Sequence, residues 1–216
     1  MSKHIEKEIQ NFSKSVVPSK RVLDVGCGLR PYEKYFKHCD YIGIDVEVSG
    51  REMDDKKPDK FYDRLNIPFE DKSFDIVICT EVLEHCVDTD KLLSEMYRIL
   101  KISGILFLTV PFMWGEHEIP YDFRRYSSYG LKRKIESTKF KIIEQKKLVC
   151  GVKAIEYLVS SEINSYKNST SYRPNLWYRV KEFLLYYLWL FILRLWNLTY
   201  HFDRVYIHNL VIAKKM

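Results

Sequence analysis

The feature that most constrains the fold of this chain is an apolar run, Val22 to Val25, that ends in the turn Gly26-Cys27-Gly28. A second apolar run, at 41–45, ends in the carboxylate of Asp45. Glycines let the backbone pass close under a ligand, and an acidic residue at the end of a second strand can bind the hydroxyls of a ribose. The two runs therefore predict a strand, a turn, a short helix and a second strand around a site for an adenosine-type cofactor.

Strand-like and helix-like segments alternate along the first part of the chain. The strand runs lie at 21–25, 41–45, 74–79 and 105–110, and the helical patterns lie at about 1–20, 31–38 and 87–100. Nearly continuous apolar strands separated by helices are typical of parallel sheets that are covered on both faces. The pattern predicts an α/β fold with a doubly wound, parallel sheet.

The pattern changes after residue 110. Ser127 or Ser128 could cap a helix that runs to about Ser137, and the segments 140–149 and 205–213 read as two further strands. Roughly 55 residues separate these two strands, far more than a hairpin connection needs. A helical insertion before the last strand is therefore expected.

Four motifs in order resemble the class I S-adenosylmethionine-dependent methyltransferases, in the branch that acts on small molecules. The motifs are the glycine turn at 24–28, the strand end at 43–45, the segment 67–75, and the segment 81–85 together with 98–104. The resemblance covers roughly residues 20–149 and the last strand. It implies a Rossmann-like sheet of seven strands with the last strand antiparallel, and S-adenosyl-L-methionine as the cofactor.

The residues after the glycine turn favour the same cofactor. A dinucleotide site of the G-x-G-x-x-G type needs a third glycine, where the helix packs closely and its N-terminus binds a pyrophosphate. Leu29, Arg30 and Pro31 follow the turn here, and Pro31 is well placed as the first residue of a helix. S-adenosylmethionine has no phosphate, so the missing third glycine does not argue against it as the cofactor. The missing glycine does argue against NAD.

The resemblance also implies which residues bind the cofactor: Asp24, Gly26, Cys27, Gly28, Asp45, Asp63, Arg64, Glu81 and His85. The residues of the turn would line the methionine portion, and Asp45 would accept the ribose hydroxyls. Asp63 would accept a hydrogen bond from the adenine amino group, with Arg64 or Leu65 beside the ring. Each has a structural alternative: Asp45 as the cap of a turn, Asp63 as a plain loop residue, His85 as a helix-terminal residue.

His117 is the candidate catalytic residue. Methyl transfer requires that the donor and the acceptor are aligned and that a proton is removed from the acceptor. Imidazole titrates near physiological pH, and the loop that carries His117 follows a strand directly. A histidine that is merely hydrogen-bonded within a lid is the alternative. The chemistry needs no metal, and the sequence shows no plausible metal cluster.

The segment 117–126 resembles a branch of the family that is often associated with bacterial surface-glycan pathways. Arg124 and Arg125, with Tyr126, are the predicted acceptor-binding residues, since guanidinium groups bind anionic groups well. Ion pairs to Asp122 or Glu118 would explain the two arginines almost as well.

Charge and cysteine content limit the partners and the location. The net charge is +6, and acidic residues interrupt the basic cluster at 132–147, so a solvated surface is favoured and no nucleic-acid partner is expected. The 5 cysteines form no CxxC pair, and residues 1–10 are polar without an apolar run. These features predict a cytoplasmic protein with reduced thiols.

Residues 183–193 form an unbroken apolar run. A helix of about 14 residues spans roughly 21 Å, which is short of a bilayer core of about 30 Å. The run could pack into its own domain, form a homodimer, or lie at the inner face of a membrane as a peripheral contact. The last alternative would use aromatic and basic residues to meet a lipid-linked acceptor: Trp177, Trp189, Trp196, Arg173, Arg179, Lys181 and Arg204.

We expect four parts: an N-terminal helix at 1–20, a methyltransferase core at 21–149, a helical insertion at 150–204 and a final core strand at 205–216. The insertion would cover the acceptor, form a dimer or contact a membrane. The resemblance implies methylation of a small molecule, with a sugar or a lipid-linked glycan intermediate as the acceptor. The alternatives are a quinone or other lipid ring, and a cofactor-binding module without turnover that is tethered through residues 175–200.

Overall fold

A computed structural model describes residues 3–50, 57–169, 175–199 and 203–216 of the chain. Its helices and strands, in order, are α1 (Lys3–Ser13), β1 (Arg21–Val25), β2 (Asp40–Asp45), β3 (Lys60–Phe61), β4 (Phe74–Thr80), α2 (Thr89–Ile99), β5 (Leu100–Pro111), α3 (Ser128–Ser137), β6 (Phe140–Cys150), α4 (Val152–Ser169), α5 (Leu176–Thr199) and β7 (Tyr206–Lys215). Two short 3-10 helices lie at Glu33–Tyr35 and Leu83–His85.

The chain forms two compact units. The first comprises Met1–Phe112, Glu116–Leu148 and His208–Met216, and the second comprises Met113–Gly115 and Val149–Ile207. The seven-stranded sheet has the strand order β3-β2-β1-β4-β5-β7-β6. Strands β1 to β5 pair in parallel, and β7 runs antiparallel to β5. The predicted Rossmann-like sheet with an antiparallel last strand and a helical insertion before it is confirmed.

The sheet edge that concerns function is the one where the parallel strands end. The first strand ends at Val25, the second at Asp45, the fourth at Thr80 and the fifth at Pro111. Because β7 is antiparallel, its beginning lies at this same edge, and His208 pairs with Pro111. Ligands of doubly wound sheets bind beyond the carboxyl ends of the strands. Residues at these five positions can therefore meet around one ligand.

Burial explains why the central strands form. Strand β1 is buried along 22–25 and β4 is buried at every position except Asp75, since helices cover both faces of a parallel sheet. Asp75 faces the opposite end of the sheet, where Lys20 and Lys101 lie 3.1 and 2.8 Å from its carboxylate. Although burial alone raises the pKa of Asp75, these hydrogen-bonded cations lower it to about 2.

The helix predicted at 31–38 is wrong, because only the 3-10 helix Glu33–Tyr35 forms there. The segment is eight residues long, and helices this short are marginal without tertiary support. Tyr32 and Phe36 are buried, and turns such as the bond from the Cys39 N–H to the Phe36 carbonyl at 2.8 Å replace the helical pattern. Similarly, α1 ends at Ser13 and does not continue toward residue 20.

Local sequence signals predicted the positions of two other helices correctly. The Ser127 hydroxyl accepts a bond from the Gly130 N–H at 3.1 Å, so the predicted serine cap of α3 is confirmed. The helix predicted at 87–100 forms as α2, with Asp88 as its cap. The two-residue strand β3 has no counterpart among the predicted runs, since Lys60 and Phe61 are both exposed and too few to show a pattern.

The second unit contains the paired helices α4 and α5. The Ser160 and Tyr186 hydroxyls are 2.7 Å apart, and the Arg194 guanidinium lies 3.0 Å from the Glu156 carboxylate. Among the described side chains of 183–193, Leu190 is buried, whereas most of the apolar ones are about half exposed or more: Phe183, Leu184, Leu185, Tyr187, Leu188, Phe191 and Ile192. The expectation that this run packs into its own domain is therefore wrong for these side chains.

No helix among the described residues is both long and apolar enough to span a membrane. Of the residues expected to meet a membrane surface, Trp177 is 82% exposed and Lys181 is exposed, which keeps that alternative open. Arg173 lies outside the described residues, as do the side chains of Arg179 and Trp196.

Candidate functional site

The glycine turn after β1 adopts a backbone that glycine favours. Gly26 and Gly28 have φ values of 75° and 52°, and the Gly26 N–H donates to the Ile44 carbonyl at 2.8 Å. A Cβ added to Gly26 would lie 2.4 Å from a methyl carbon of Val82. The turn is therefore tied to β2 on one side and packed against the segment after β4 on the other, which explains why glycine is needed there.

Asp24 is fully buried beneath the turn. The Tyr41 hydroxyl donates to its Oδ2, whereas Oδ1 has no hydrogen-bond partner among the described residues. Burial is the main cause that raises the pKa of Asp24 to about 7, and the Asp45 carboxylate adds to it. A buried acceptor atom of this kind suits the positively charged amino group of an amino-acid ligand, which would compensate the cost of burying the carboxylate.

Asp45 ends β2 and caps the glycine turn. Its Oδ2 accepts the Gly28 N–H at 2.7 Å, and its Oδ1 accepts the Val46 N–H at 2.7 Å. These bonds correspond to the structural alternative for Asp45, yet each carboxylate oxygen carries a second lone pair. The predicted role toward the ribose stays a prediction.

Cys27 is a packing residue in this turn. Its side chain is buried, and a Cβ added to Gly43 would lie 2.8 Å from its sulfur. Burial raises the pKa of the Cys27 thiol, so the thiolate needed for reactivity is disfavoured.

Asp63 and Arg64 shape the loop between β3 and β4. Asp63 is exposed, and its carboxylate accepts the Leu65 and Asn66 N–H groups at 2.9 and 2.6 Å, as in a loop cap. Arg64 donates to the His85 carbonyl at 3.1 Å and lies over the Tyr121 ring. Their predicted roles beside the adenine remain predictions, and Arg64 in addition links this loop to the segment after β4.

Glu81 follows β4 and orients a histidine that the sequence did not single out. Its Oε1 accepts the Thr109 hydroxyl at 2.8 Å, and its Oε2 lies 2.9 Å from Nδ1 of His208 at the start of β7. His208 is 5% exposed, and its Nε2 has no hydrogen-bond partner among the described residues. With Nδ1 donating to the carboxylate, Nε2 carries the lone pair that can accept a proton.

His85 stands at the end of the 3-10 helix Leu83–His85, and its Nδ1 donates to the Tyr121 carbonyl at 2.8 Å. Its Nε2 faces the Glu84 carboxylate at 3.8 Å and the Glu118 carboxylate at 3.6 Å. The ring packs edge-on against His117, with 4.8 Å between centroids. Burial lowers the pKa of His85, which favours the neutral imidazole.

His117 belongs to the loop after β5 and is oriented by Asp122. Its Nδ1 lies 3.2 Å from the Asp122 carboxylate, which also accepts the His117 N–H at 3.0 Å. Burial alone would raise the pKa of Asp122, but the hydrogen-bonded Arg125 guanidinium, together with His117, lowers it to about 2. An ionised Asp122 thus fixes the imidazole, as a general base or a ligand requires.

The predicted acceptor-binding arginines have internal partners. Arg125 makes a bidentate pair with Asp122 at 2.5 and 2.7 Å, and Arg124 donates to the carbonyls of Cys86 and Val87. The pair of Arg125 with Asp122 is the ion-pair alternative, whereas Arg124 binds main-chain carbonyls, and for both arginines a role toward an anionic acceptor stays a prediction. Tyr126 differs, because its buried hydroxyl has no hydrogen-bond partner among the described residues.

Unsatisfied polar atoms collect at one edge of the sheet. Across the described ranges, 7 buried side-chain atoms lack a hydrogen-bond partner: Asp24 Oδ1, both oxygens of Glu84, His85 Nε2, Tyr126 Oη, His208 Nε2 and Asn209 Oδ1. Their residues lie at or beyond the ends of β1, β4 and β5, or at the beginning of β7 beside β5. Folded proteins pair nearly all such atoms, so this edge is the candidate binding site.

Sequence reasoning missed Glu84 and His208. An antiparallel last strand places its first residues at the carboxyl edge, and this signal could have identified His208. Nothing in the sequence shows that Glu84 is fully buried, since its neighbours in the chain are compatible with an exposed helix end.

Comparison with known proteins agrees with this geometry. Residues 23–108 match a protein family described as a methyltransferase domain. The chain is 31% identical over 134 residues to the sterol 24-C-methyltransferase of Schizosaccharomyces pombe, a match that covers 56% of this chain and 35% of that protein. It is 44% identical over 64 residues to the ubiquinone/menaquinone biosynthesis C-methyltransferase of Pseudoalteromonas translucida, covering 28% of this chain and 25% of that protein.

A solved structure extends the similarity to the fold as a whole. The phosphoethanolamine N-methyltransferase 2 of Haemonchus contortus, in complex with S-adenosyl-L-methionine, superposes with a TM-score of 0.62 at 18% identity. The match covers 99% of this chain and 53% of that protein. The matched segments thus span about a quarter to about a half of these relatives' own lengths.

Proposed function

We propose that this chain, which belongs to the class I S-adenosylmethionine-dependent methyltransferases, transfers the methyl group of S-adenosylmethionine to a small-molecule acceptor. The observation that carries the proposal is the buried Oδ1 of Asp24 beneath the turn at Gly26 and Gly28, an acceptor with no partner among the described residues. The turn lies at the carboxyl end of β1, where ligands of doubly wound sheets bind, and the resemblance to the family implies that the methionine portion of the cofactor binds there.

The residues of the first unit suit this cofactor. Asp24 would bind the amino group of the methionine portion, and the backbone of the turn at Gly26 and Gly28 would lie against the ligand. Asp45 holds the turn through the Gly28 N–H and would accept the ribose hydroxyls with its remaining lone pairs. When bound, S-adenosylmethionine supplies a methyl group on a sulfonium, which an acceptor displaces in line.

Two imidazole–carboxylate pairs could remove the proton from the molecule that is methylated. They are His117 with Asp122 and His208 with Glu81. In each pair the carboxylate lies against Nδ1 and so orients the ring, as efficient general bases require. The sequence pointed to His117, whose side chain is 24% exposed, whereas His208 is 7% exposed at its side chain. Tyr126, with its unsatisfied hydroxyl, would position the acceptor.

For the acceptor we propose an amphiphilic molecule, a lipid-linked glycan or a quinone-type ring. The observation that favours it is the exposed apolar surface of α5, on which Phe191, Leu188 and Leu184 are each more than half exposed. Contiguous apolar surface of this kind marks a protein or membrane contact. One similar protein is named as a sterol methyltransferase and another as a methyltransferase of ubiquinone/menaquinone biosynthesis.

A methyl-transfer assay tests the function. The purified chain is incubated with methyl-labelled S-adenosylmethionine and either the lipid fraction or the aqueous small-molecule fraction of a bacterial extract. Label in a lipid product is expected, and label confined to aqueous products would refute the amphiphilic acceptor while keeping the transferase. Cofactor binding without label in either fraction would favour the binding module without turnover. Asp24→Asn is the cofactor-binding control.

Vesicle flotation tests the α5 surface separately. We expect the chain to float with vesicles that contain an anionic phospholipid, and Phe191→Asp to reduce the floated fraction several-fold, because it removes an exposed apolar side chain and adds a charge. Asn175→Asp adds the same charge at an exposed polar residue and should float as the unchanged chain does. If Phe191→Asp instead splits a dimer and leaves flotation unchanged, the homodimer alternative is correct.

A further inference from the structure

Three potential metal ligands meet beyond β4 although they lie far apart in the chain. Glu84, His85 and His117 each offer a ligand atom, and these atoms lie within 4.8 Å of one another. We call these three residues the histidine cluster. The sequence predicts no metal site, because their spacing follows no usual ligand motif. The loop after β5 brings His117 close to Glu84 and His85, which follow β4, and this contact forms the cluster.

Glu84 is the strongest indication that the cluster binds something. It is 0% exposed, and neither carboxylate oxygen has a hydrogen-bond partner among the described residues. A bound cation would satisfy the carboxylate.

The two histidines are arranged as metal ligands usually are. A ligating histidine donates its other ring N–H to a carbonyl or a carboxylate, which fixes the tautomer and orients the ring. His85 donates Nδ1–H to the Tyr121 carbonyl at 2.8 Å and presents Nε2 to the cluster. The Asp122 carboxylate lies 3.2 Å from Nδ1 of His117, so Nε2 is the ligand atom that this ring offers.

The spacing suits a small divalent ion after a modest contraction. Ligand atoms at about 2.0–2.2 Å from a tetrahedral zinc ion lie roughly 3.3 Å apart. Nε2 of His85 is 3.8 Å from the Glu84 carboxylate and 3.6 Å from the Glu118 carboxylate. The three ligand atoms lie within 4.8 Å of one another, so small side-chain rotations would close the cluster.

We propose that Glu84, His85 and His117 bind one divalent transition-metal ion of the zinc type. Two imidazoles and a carboxylate are the ligand set of catalytic zinc sites and of other divalent transition metals with an open coordination position. The site lies close to the cofactor turn, because the packing of Val82 against Gly26 joins the two segments.

A role for the metal in catalysis rests on the proposed methyl transfer. An acceptor hydroxyl bound at the open position would lose its proton more readily, since a bound divalent ion stabilises the oxygen anion. His117 would then serve as a ligand, and the His208–Glu81 pair would be the one to take the proton.

Metal titration of the untagged, chelator-treated chain tests the site without any substrate. With Zn²⁺ we expect one ion per chain by calorimetry, and with Co²⁺ we expect visible absorption bands from imidazole coordination. Glu84→Gln and His117→Ala should each weaken binding at least tenfold, because each removes one ligand at nearly constant shape or at a partly exposed position. His38→Ala removes an exposed histidine outside the cluster and should bind as the unchanged chain does.

Two results would overturn the site. One is a stoichiometry well below one ion per chain for both metals, and the other is equal binding by both cluster variants and the His38→Ala control. If Glu84→Gln does not fold, His117→Ala and the unchanged chain still decide the question. Binding of S-adenosylmethionine is measured on the same samples. An unchanged chain that binds the cofactor but no metal would refute the site alone, and one that binds metal but no cofactor would refute the proposed function alone.

Discussion

The cofactor turn (residues 24–28 with Asp45) and the histidine cluster lie at the same sheet edge but are built differently. The turn joins two neighbouring parallel strands, and its key bond, from the Gly28 N–H to Asp45, connects residues 17 positions apart. The cluster joins the end of β4 to a loop beyond β5, with Glu84 and His117 brought together by tertiary structure. The difference teaches that a glycine turn between neighbouring strands can be predicted from local sequence pattern, whereas a cluster assembled from distant segments cannot.

Gly26→Val should have the largest effect and would remove the turn. A Cβ at this position would lie 2.4 Å from Val82, and φ of 75° is strained for a β-branched residue. We expect cofactor affinity to fall by at least about 100-fold, measured by calorimetry. Leu29→Val, at an exposed position just after the turn, should retain affinity. Retained affinity in Gly26→Val would mean that the turn does not form the cofactor site.

Replacing the imidazole bases should reduce turnover by about 100-fold to 10,000-fold where the residue is the base. If the histidine cluster binds a metal, His208→Ala should lower kcat with metal content unchanged, while His117→Ala should also lose bound metal. Steady-state rates and metal content of both variants are the measurement. Unchanged turnover in His208→Ala, together with a lowered kcat and unchanged metal content in His117→Ala, would return the base role to His117.

Asp24 makes cofactor binding depend on pH. Its pKa of about 7 in the cofactor-free chain means that the carboxylate is protonated below pH 7, whereas a ligand ammonium group binds the ionised form. Affinity should therefore fall by up to about tenfold for each pH unit below 7 and level off above it. Asp24→Asn should bind more weakly at pH 8 and lose this dependence. A pH-independent affinity in the unchanged chain would contradict the contact.

Asp24 should also make the free energy of unfolding depend on pH, in the opposite direction to cofactor affinity. Because the folded pKa of Asp24 is raised above its unfolded value of 3.8, the folded state holds the proton more tightly between these two values. The contribution of Asp24 to the free energy of unfolding should fall as pH rises from about 4 to about 7 and change no further above that. Comparing denaturant unfolding of the unchanged chain and Asp24→Asn over this range measures it, and parallel curves would refute the assignment.

Ser127→Ala should have the smallest effect and touches neither region. Loss of the bond from the Gly130 N–H to the Ser127 hydroxyl removes the cap of α3 and should lower the free energy of unfolding by about 1 kcal/mol. Cofactor and metal affinities should stay within twofold. A large loss of either would show that α3 positions the site, which would weaken the contrast between local and tertiary construction.

Much of the fold could be predicted because its signals are local. The apolar runs located β1 and β4, the serine cap located α3, and the motif order implied the antiparallel β7. Patterns failed where too few residues carry them, as in the two-residue β3 and the 3-10 helix at Glu33–Tyr35. Whether the apolar run of α5 is buried or exposed stayed open, since the run has the same composition in either case.

By itself, the sequence determined the sheet, the glycine turn and the placement of Asp45 at the end of β2, because backbone conformation and strand periodicity depend on neighbouring residues. Only the tertiary structure decided which charges are paired and which are buried alone. It tied Arg125 to Asp122, placed His208 against Glu81, and buried Glu84 without a hydrogen-bond partner among the described residues. The physical reason is that desolvation and pairing depend on every segment packed around a group, and those segments come from distant parts of the chain.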